Sequence, residues 1–466
     1  MRPTLVLVGI EAVLFLIAWL IARRRLPHTA LALIAMTAPL EVYRTPVLDL
    51  NLSLFRLAVL IGAGVVLAGP ARRCVADLLR DPVVWVYAAL LALMVVSLLV
   101  FSQNRDLGFR VMSQVAIGIV VVVVVAALVQ RIDDPPVAMA LLLCGIALPV
   151  AAACWQAIAY SAGTDATLPG LGDLPAAAGL EGSREGLSFV GTAVRLKATF
   201  SDPNHFGAFA ALMTGPCLGV LAQGLHRRSR VTVTAAAALA AALGCMVFAS
   251  SSRSAMLALA VCILGVAVLS GTSLLGGMSS RGRVLSGAVA VVICAGIAIA
   301  ALPLLQQRLD PSAAANVESN RTHQTTLSRA GDNLVAEPLV GIGLADFGPQ
   351  LGEGPRTSGA HSTYLTVGAE LGGAGLILLL LAIAATARLM VAGVRRARGP
   401  LGELSVGLAC GYAGFVLAAA LYDLWWDDFH WVAVGVGLGL LAPVAPFSIP
   451  RVLRRLAPRP PTRLAR

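Results

Sequence analysis

Apolar residues run on for about 18 to 22 positions at a time along nearly the whole chain, broken by short polar connections. The runs cover residues 4–22, 27–42, 52–69, 83–101, 111–129, 137–159, 204–222, 231–249, 255–270, 285–304, 362–386, 404–421 and 430–446. As a helix, a run of that length crosses a hydrocarbon core of roughly 30 Å. Apolar character all round suits helices, which satisfy their own backbone groups in lipid, and does not suit the alternating strands of a barrel. The pattern predicts an all-α, polytopic integral membrane protein with 12–13 transmembrane helices and two long loops on the non-cytoplasmic side. The count is twelve or thirteen because the second run is short, with Pro39 near its end and Glu41 beyond. The first run, Leu5 to Ala22, is too long for a signal-peptide core and no small-residue cleavage site follows it, so it reads as a retained helix.

Composition agrees: the chain is 58% hydrophobic and only 13% charged, unlike a soluble globular protein. Arginine orients it. One set of alternate connections holds Arg23 to Arg25, Arg72, Arg73, Arg80, Arg131, Arg227, Arg228, Arg230, Arg281, Arg283, Arg388, Arg395, Arg396 and Arg398, and the tail adds six more. Together these are 22 of the 35 Lys and Arg, all in short segments, which marks that side as cytoplasmic. The net charge of +11 is therefore mostly topology and attraction to anionic lipid. No basic patch interleaves with aromatics, so no nucleic-acid partner is expected. The eight cysteines fall in predicted spans or, for Cys74, on the cytoplasmic side. Neither a disulfide framework nor a cysteine metal site follows from them.

Chemistry is expected in the two long outer connections, roughly 160–203 and 305–361, because loops that long are functional or disordered. The chain divides accordingly into N-terminal helices (1–160), a region carrying both loops (161–386) and C-terminal helices with a basic tail (387–466). The first loop ends in Arg195-Leu-Lys-Ala-Thr-Phe-Ser-Asp-Pro-Asn-His-Phe-Gly207, with Ser201 as the expected N-cap of the next helix. Arg195 and Lys197 are cations on the side where topology does not need them. The next outer turn, Ser250-Ser-Ser-Arg253-Ser, reads either as a snorkelling arginine or as an anion site of serine hydroxyls and helix N-terminal amides around a guanidinium.

In the second loop, residues 317–336 read as a helix stopped at Pro338. Arg321 and Arg329 lie eight residues apart, about 80° around its axis, and so share a side. The loop closes on His361-Ser-Thr-Tyr364 at the mouth of a span, where a helix N-terminus favours the neutral imidazole that a general base needs. Glu370 lies about 13 Å deeper along that helix, and an acid at such depth is functional or ion-paired by default. The last outer connection, Tyr422 to Trp431, reads as an interfacial aromatic belt, a sugar-stacking surface or an Asp427/Asp428 metal site.

Taken together, Arg195…Phe200-Ser-Asp-Pro-Asn204, Ser-Ser-Arg253-Ser-Ala, Arg329…Glu337-Pro-Leu-Val-Gly-Ile-Gly343 and His361-Ser-Thr-Tyr364-Leu…Glu370-Leu-Gly-Gly resemble the O-antigen ligase / O-antigen polymerase superfamily of bacterial envelope enzymes. The resemblance covers about residues 190–375. It departs from the family at Ser362, where asparagine is frequent. It implies a glycosyltransferase of the bacterial cytoplasmic membrane, working on its outer face without metal or other cofactor. The donor would be an undecaprenyl-diphosphate-linked glycan and the acceptor a hydroxyl on a glycan or lipid. In that role His361 is the general base, and Arg195, Arg253, Arg329, Arg321, Lys197 and Tyr364 bind diphosphate or substrate. Glu370 supports them by orienting an arginine or the histidine. The alternative is a lipid-linked glycan flippase, which calls for broken helices and internal repeats.

Overall fold

The computed structural model describes residues 2–21, 25–47, 50–168, 187–190, 193–276, 314–350 and 359–444. Its helices are α1 (Arg2–Ile21), α2 (Leu26–Thr37), α3 (Leu54–Ala68), α4 (Arg72–Leu78), α5 (Pro82–Val100), α6 (Arg105–Val129), α7 (Pro135–Leu143), α8 (Ala147–Ser161) and α9 (Pro203–His226). They continue as α10 (Arg230–Ser250), α11 (Arg253–Gly276), α12 (Ala314–Ala336), α13 (Phe347–Gln350), α14 (Thr363–Arg396), α15 (Pro400–Ala419) and α16 (Asp428–Leu441). The chain is an all-α polytopic membrane protein. Among the described residues, eight helices, with α7 and α8 joined as one, are long and apolar enough to cross a membrane; α3 and α4 form a further pair bent by 105°.

Twelve of the thirteen predicted runs coincide with these helices, and the run 285–304 lies outside the described residues. The second run is corrected. It forms a helix of only 12 residues, about 18 Å long, because Pro39 stops it and Glu41 is drawn sideways to Ser201. Two hairpins that periodicity did not predict flank this end: β1 (Arg44–Val47) with β2 (Leu50–Ser53), and β3 (Leu187–Val190) with β4 (Ala193–Leu196).

Helix α9 packs between α10, α11 and α15. Gly215 and Gly219 of α9 face Gly407 and Gly411 of α15 so closely that a Cβ on Gly215 would lie 2.3 Å from the Gly407 carbonyl oxygen. In lipid, where apolar burial against apolar tails gives little, such small-residue seams let backbones approach and gain dispersion. Helix α16 packs on α6 and is buried from Phe429 to Leu441. Trp425 and Trp431 are likewise fully buried, so the aromatic-belt reading of this connection is replaced by a core one.

The longest helix breaks at Gly372 (φ 65°). The polar groups freed there are taken up by the segment after α12: Gly373 N–H donates to Pro338 O, while Ile342 and Gly343 N–H donate to Ala369 and Glu370 O. Non-helical backbone at that depth survives only where protein satisfies it. Gly341 (φ 67°) is required for the fit, since a Cβ there would meet the Glu370 carbonyl carbon at 2.4 Å. The same segment holds the connection between α5 and α6: Ser102 Oγ donates to Leu344 O, and Asp346 accepts from the Gln103 and Asn104 amides.

Candidate active site

The connections that arginine assigned to the outer side meet one another at one end of the bundle. Strand β4 carries Arg195, whose Nε donates to Ser250 O at 2.9 Å and whose terminal nitrogen donates to Asn204 Oδ1 at 2.9 Å. Asn204 sits in the first turn of α9, which is capped by Asp202 accepting from the Asn204 amide. The predicted cap, Ser201, instead gives both its amide and its hydroxyl to Glu41. Burial lowers the Arg195 pKa and neighbouring Arg253 lowers it further, against Asp202 and Tyr422, which hold it up.

Arg253 opens α11 and stays exposed, with one guanidinium nitrogen donating to Asn320 Oδ1 of α12 at 3.0 Å. The serines around it do not form the anion cradle that one of the two readings of this turn called for. Ser250, Ser251, Ser252 and Ser254 are buried, and their hydroxyls bond inside the turn, where Ser251 adopts a left-handed backbone (φ 50°). Their small polar side chains build the corner that aims Arg253 outward.

His361 lies two residues before α14, also left-handed (φ 53°), a conformation that costs a non-glycine residue about 1 kcal/mol or more and marks constrained sites. Its backbone amide donates to Asp423. Asp423 also accepts from Thr366 Oγ1 at 2.8 Å, and burial pushes its pKa up to about 6. The His361 ring lies 4.1 Å from that of His323 on α12 and 5.5 Å from that of Tyr422. Burial, then His361, Arg253 and Arg195, push His323 down to about 4, so it is neutral at physiological pH. Two guanidiniums and two imidazoles thus face one another with Tyr422 as a wall, an arrangement that attracts an anion and offers a proton acceptor beside it.

The remaining predicted residues sit on α12, after β4 and on α14. Arg321 and Arg329 are exposed on α12. Lys197 is buried at the turn after β4. The Tyr364 hydroxyl donates to Val416 O on α15, which ties two helices together. Glu370 accepts from the backbone of Ala345 and Phe347 and so anchors the 338–347 segment. His323, His205, Asn204 and Asp423 were not singled out from sequence.

No curated protein matches the chain. A family model described as O-antigen ligase matches residues 236–380, a stretch that contains Arg253, His323, His361 and Glu370 but not Arg195. Over that stretch, about a third of its length, the chain is similar to the O-antigen ligase family.

Proposed function

We propose that this protein transfers a glycan from an undecaprenyl-diphosphate-linked donor to an acceptor hydroxyl at the outer face of the bacterial cytoplasmic membrane, as a ligase or a polymerase. The observation that carries the reading is the pairing of Arg195 with Arg253 beside His361. As the anomeric C–O bond breaks, charge grows on the departing diphosphate, and fixed guanidiniums in a partly dehydrated site stabilise that growth. The acceptor hydroxyl attacks from the opposite face, forms the new C–O bond with inversion, and gives its proton to His361. The leaving group is undecaprenyl diphosphate. No step is assigned to a metal; the arginines take the charge.

A transporter would need a broken helix along a substrate path. The break at Gly372 is present, but Pro338, Leu339, Ile342 and Gly343 fill it. The deciding experiment uses purified protein in detergent, with no membrane to cross. Release of undecaprenyl diphosphate from a lipid-linked glycan, dependent on added acceptor, is the expected result. Translocation in vesicles without turnover in detergent would establish a flippase instead.

A further inference from the structure

Three side chains from distant parts of the chain converge beside the arginine–histidine site. Glu41 follows α2, His205 lies in the first turn of α9, and Asp427 precedes α16. His205 Nδ1 is 2.9 Å from Asp427 Oδ1 and 3.5 Å from Glu41 Oε1. One ligand atom from each residue lies within 4.8 Å of the other two. Nδ1 is nonetheless not aligned for a hydrogen bond to either carboxylate, and Asp427 Oδ2 is buried without a hydrogen-bond partner, although Asp427 is only 5% exposed. An unsatisfied buried carboxylate oxygen is costly, and an ion held between the two carboxylates would give it a partner.

The geometry fits such an ion. Ligand atoms roughly 2.0–2.1 Å from a tetrahedral centre lie about 3.3 Å from each other, between the two separations observed here. Glu41 is held by the Ser201 amide and hydroxyl on Oε2, which turns Oε1 toward the cluster, as outer-shell partners commonly do for metal-binding carboxylates. We propose that Glu41, His205 and Asp427 bind one divalent transition-metal ion, with Zn²⁺ the best match to one imidazole nitrogen and two carboxylate oxygens. The ion pins the end of α2, the start of α9 and the start of α16. Tyr422 packs its ring 5.7 Å from His205 and 5.5 Å from His361, so the ion braces the wall of the transfer site and takes no part in the bond changes.

The test uses the full chain, purified in detergent through a tag without histidine. Elemental analysis should find close to one zinc per chain in the wild type. After chelator treatment, ZnCl₂ should raise the thermal unfolding temperature and MgCl₂ should not. Asp427→Asn and His205→Gln should each lose the metal and the shift. Trace zinc and unmoved melting in the wild type would overturn the site, leaving an imidazolium clamped between two carboxylates. An equal ZnCl₂ shift in wild type and both variants would also overturn it, by placing zinc elsewhere. Neither readout is glycan transfer, so failure here leaves the arginine reading standing.

Discussion

His361 carries the most specific chemical expectation of any single residue. General-base contributions run to roughly 10²–10⁴-fold, so His361→Ala should lower turnover by about that factor at matched membrane levels, across pH 6 to 9. Transfer near wild type throughout would reduce His361 to a shaped corner before α14. Arg195→Ala should instead weaken donor binding as well as rate, since phosphate is present in ground and transition states alike. Arg195→Lys should recover little, because the guanidinium fork spans Ser250 O and Asn204 Oδ1 and an ammonium cannot reproduce it. Steady-state rates over a range of donor concentrations separate the two effects. Arg195, Arg253 and His361 were legible as candidates through the motifs that carry them, although Arg253 also read as a snorkelling cation. His323 could not: it is one polar residue among many on an exposed helix, and only the packing of α12 onto the mouth of α14 turns it inward. His205 and Glu41 were hidden by separation, 164 positions apart in the chain and 3.5 Å apart in the fold.

Among the elements, α12 and the break in α14 respond to different perturbations. The folded pKa of His323 is about 4, below the ordinary value of 6.5, so the unfolded chain takes up the proton first as pH falls. Between those values the unfolded state binds more protons, and stability therefore declines on acidification. Thermal unfolding from pH 7.5 to 4.5 should show that decline, and His323→Gln should flatten it. At the break, Glu370→Ala removes the acceptor of two buried amides, each costing about 1–3 kcal/mol. The expected result is a marked drop in unfolding temperature, with Glu370→Gln milder because one amide oxygen still accepts. A large loss of turnover at unchanged stability would restore Glu370 to the chemistry. The two glycine-bearing motifs were legible as motifs, while their meaning required the fold: Gly341-Ile-Gly343 and Gly372-Gly373 are the two sides of one backbone junction. The spans themselves could be read because length and apolarity decide them. The hairpins could not, since four-residue strands leave too few positions for a period of two to show.

At the scale of the whole molecule, one constraint orders everything above. The segments carrying Arg195, Arg253, His323, His361 and Asp423 must lie on one side of the membrane, opposite the short arginine-rich connections. Their mutual contacts show that these segments share one end of the bundle. At another connection pair, Arg131 bonds to Pro70 O, joining two of the segments that arginine density assigns to the cytoplasm. Charge then supplies the direction: short loops rich in arginine are retained inside, where the surface is also anionic. Reporter fusions after Gly170 and after Arg463 test this directly. An enzyme active only outside the cytoplasm should report outside at Gly170, and one active only in the cytoplasm should report inside at Arg463. Both positions in the cytoplasm would break the alternation and remove the donor reading, because the lipid-linked glycan would then face the wrong compartment. Opposite compartments with Arg463 outside would keep the bundle and its cluster intact but turn the site inward, where a sugar nucleotide would become the better donor.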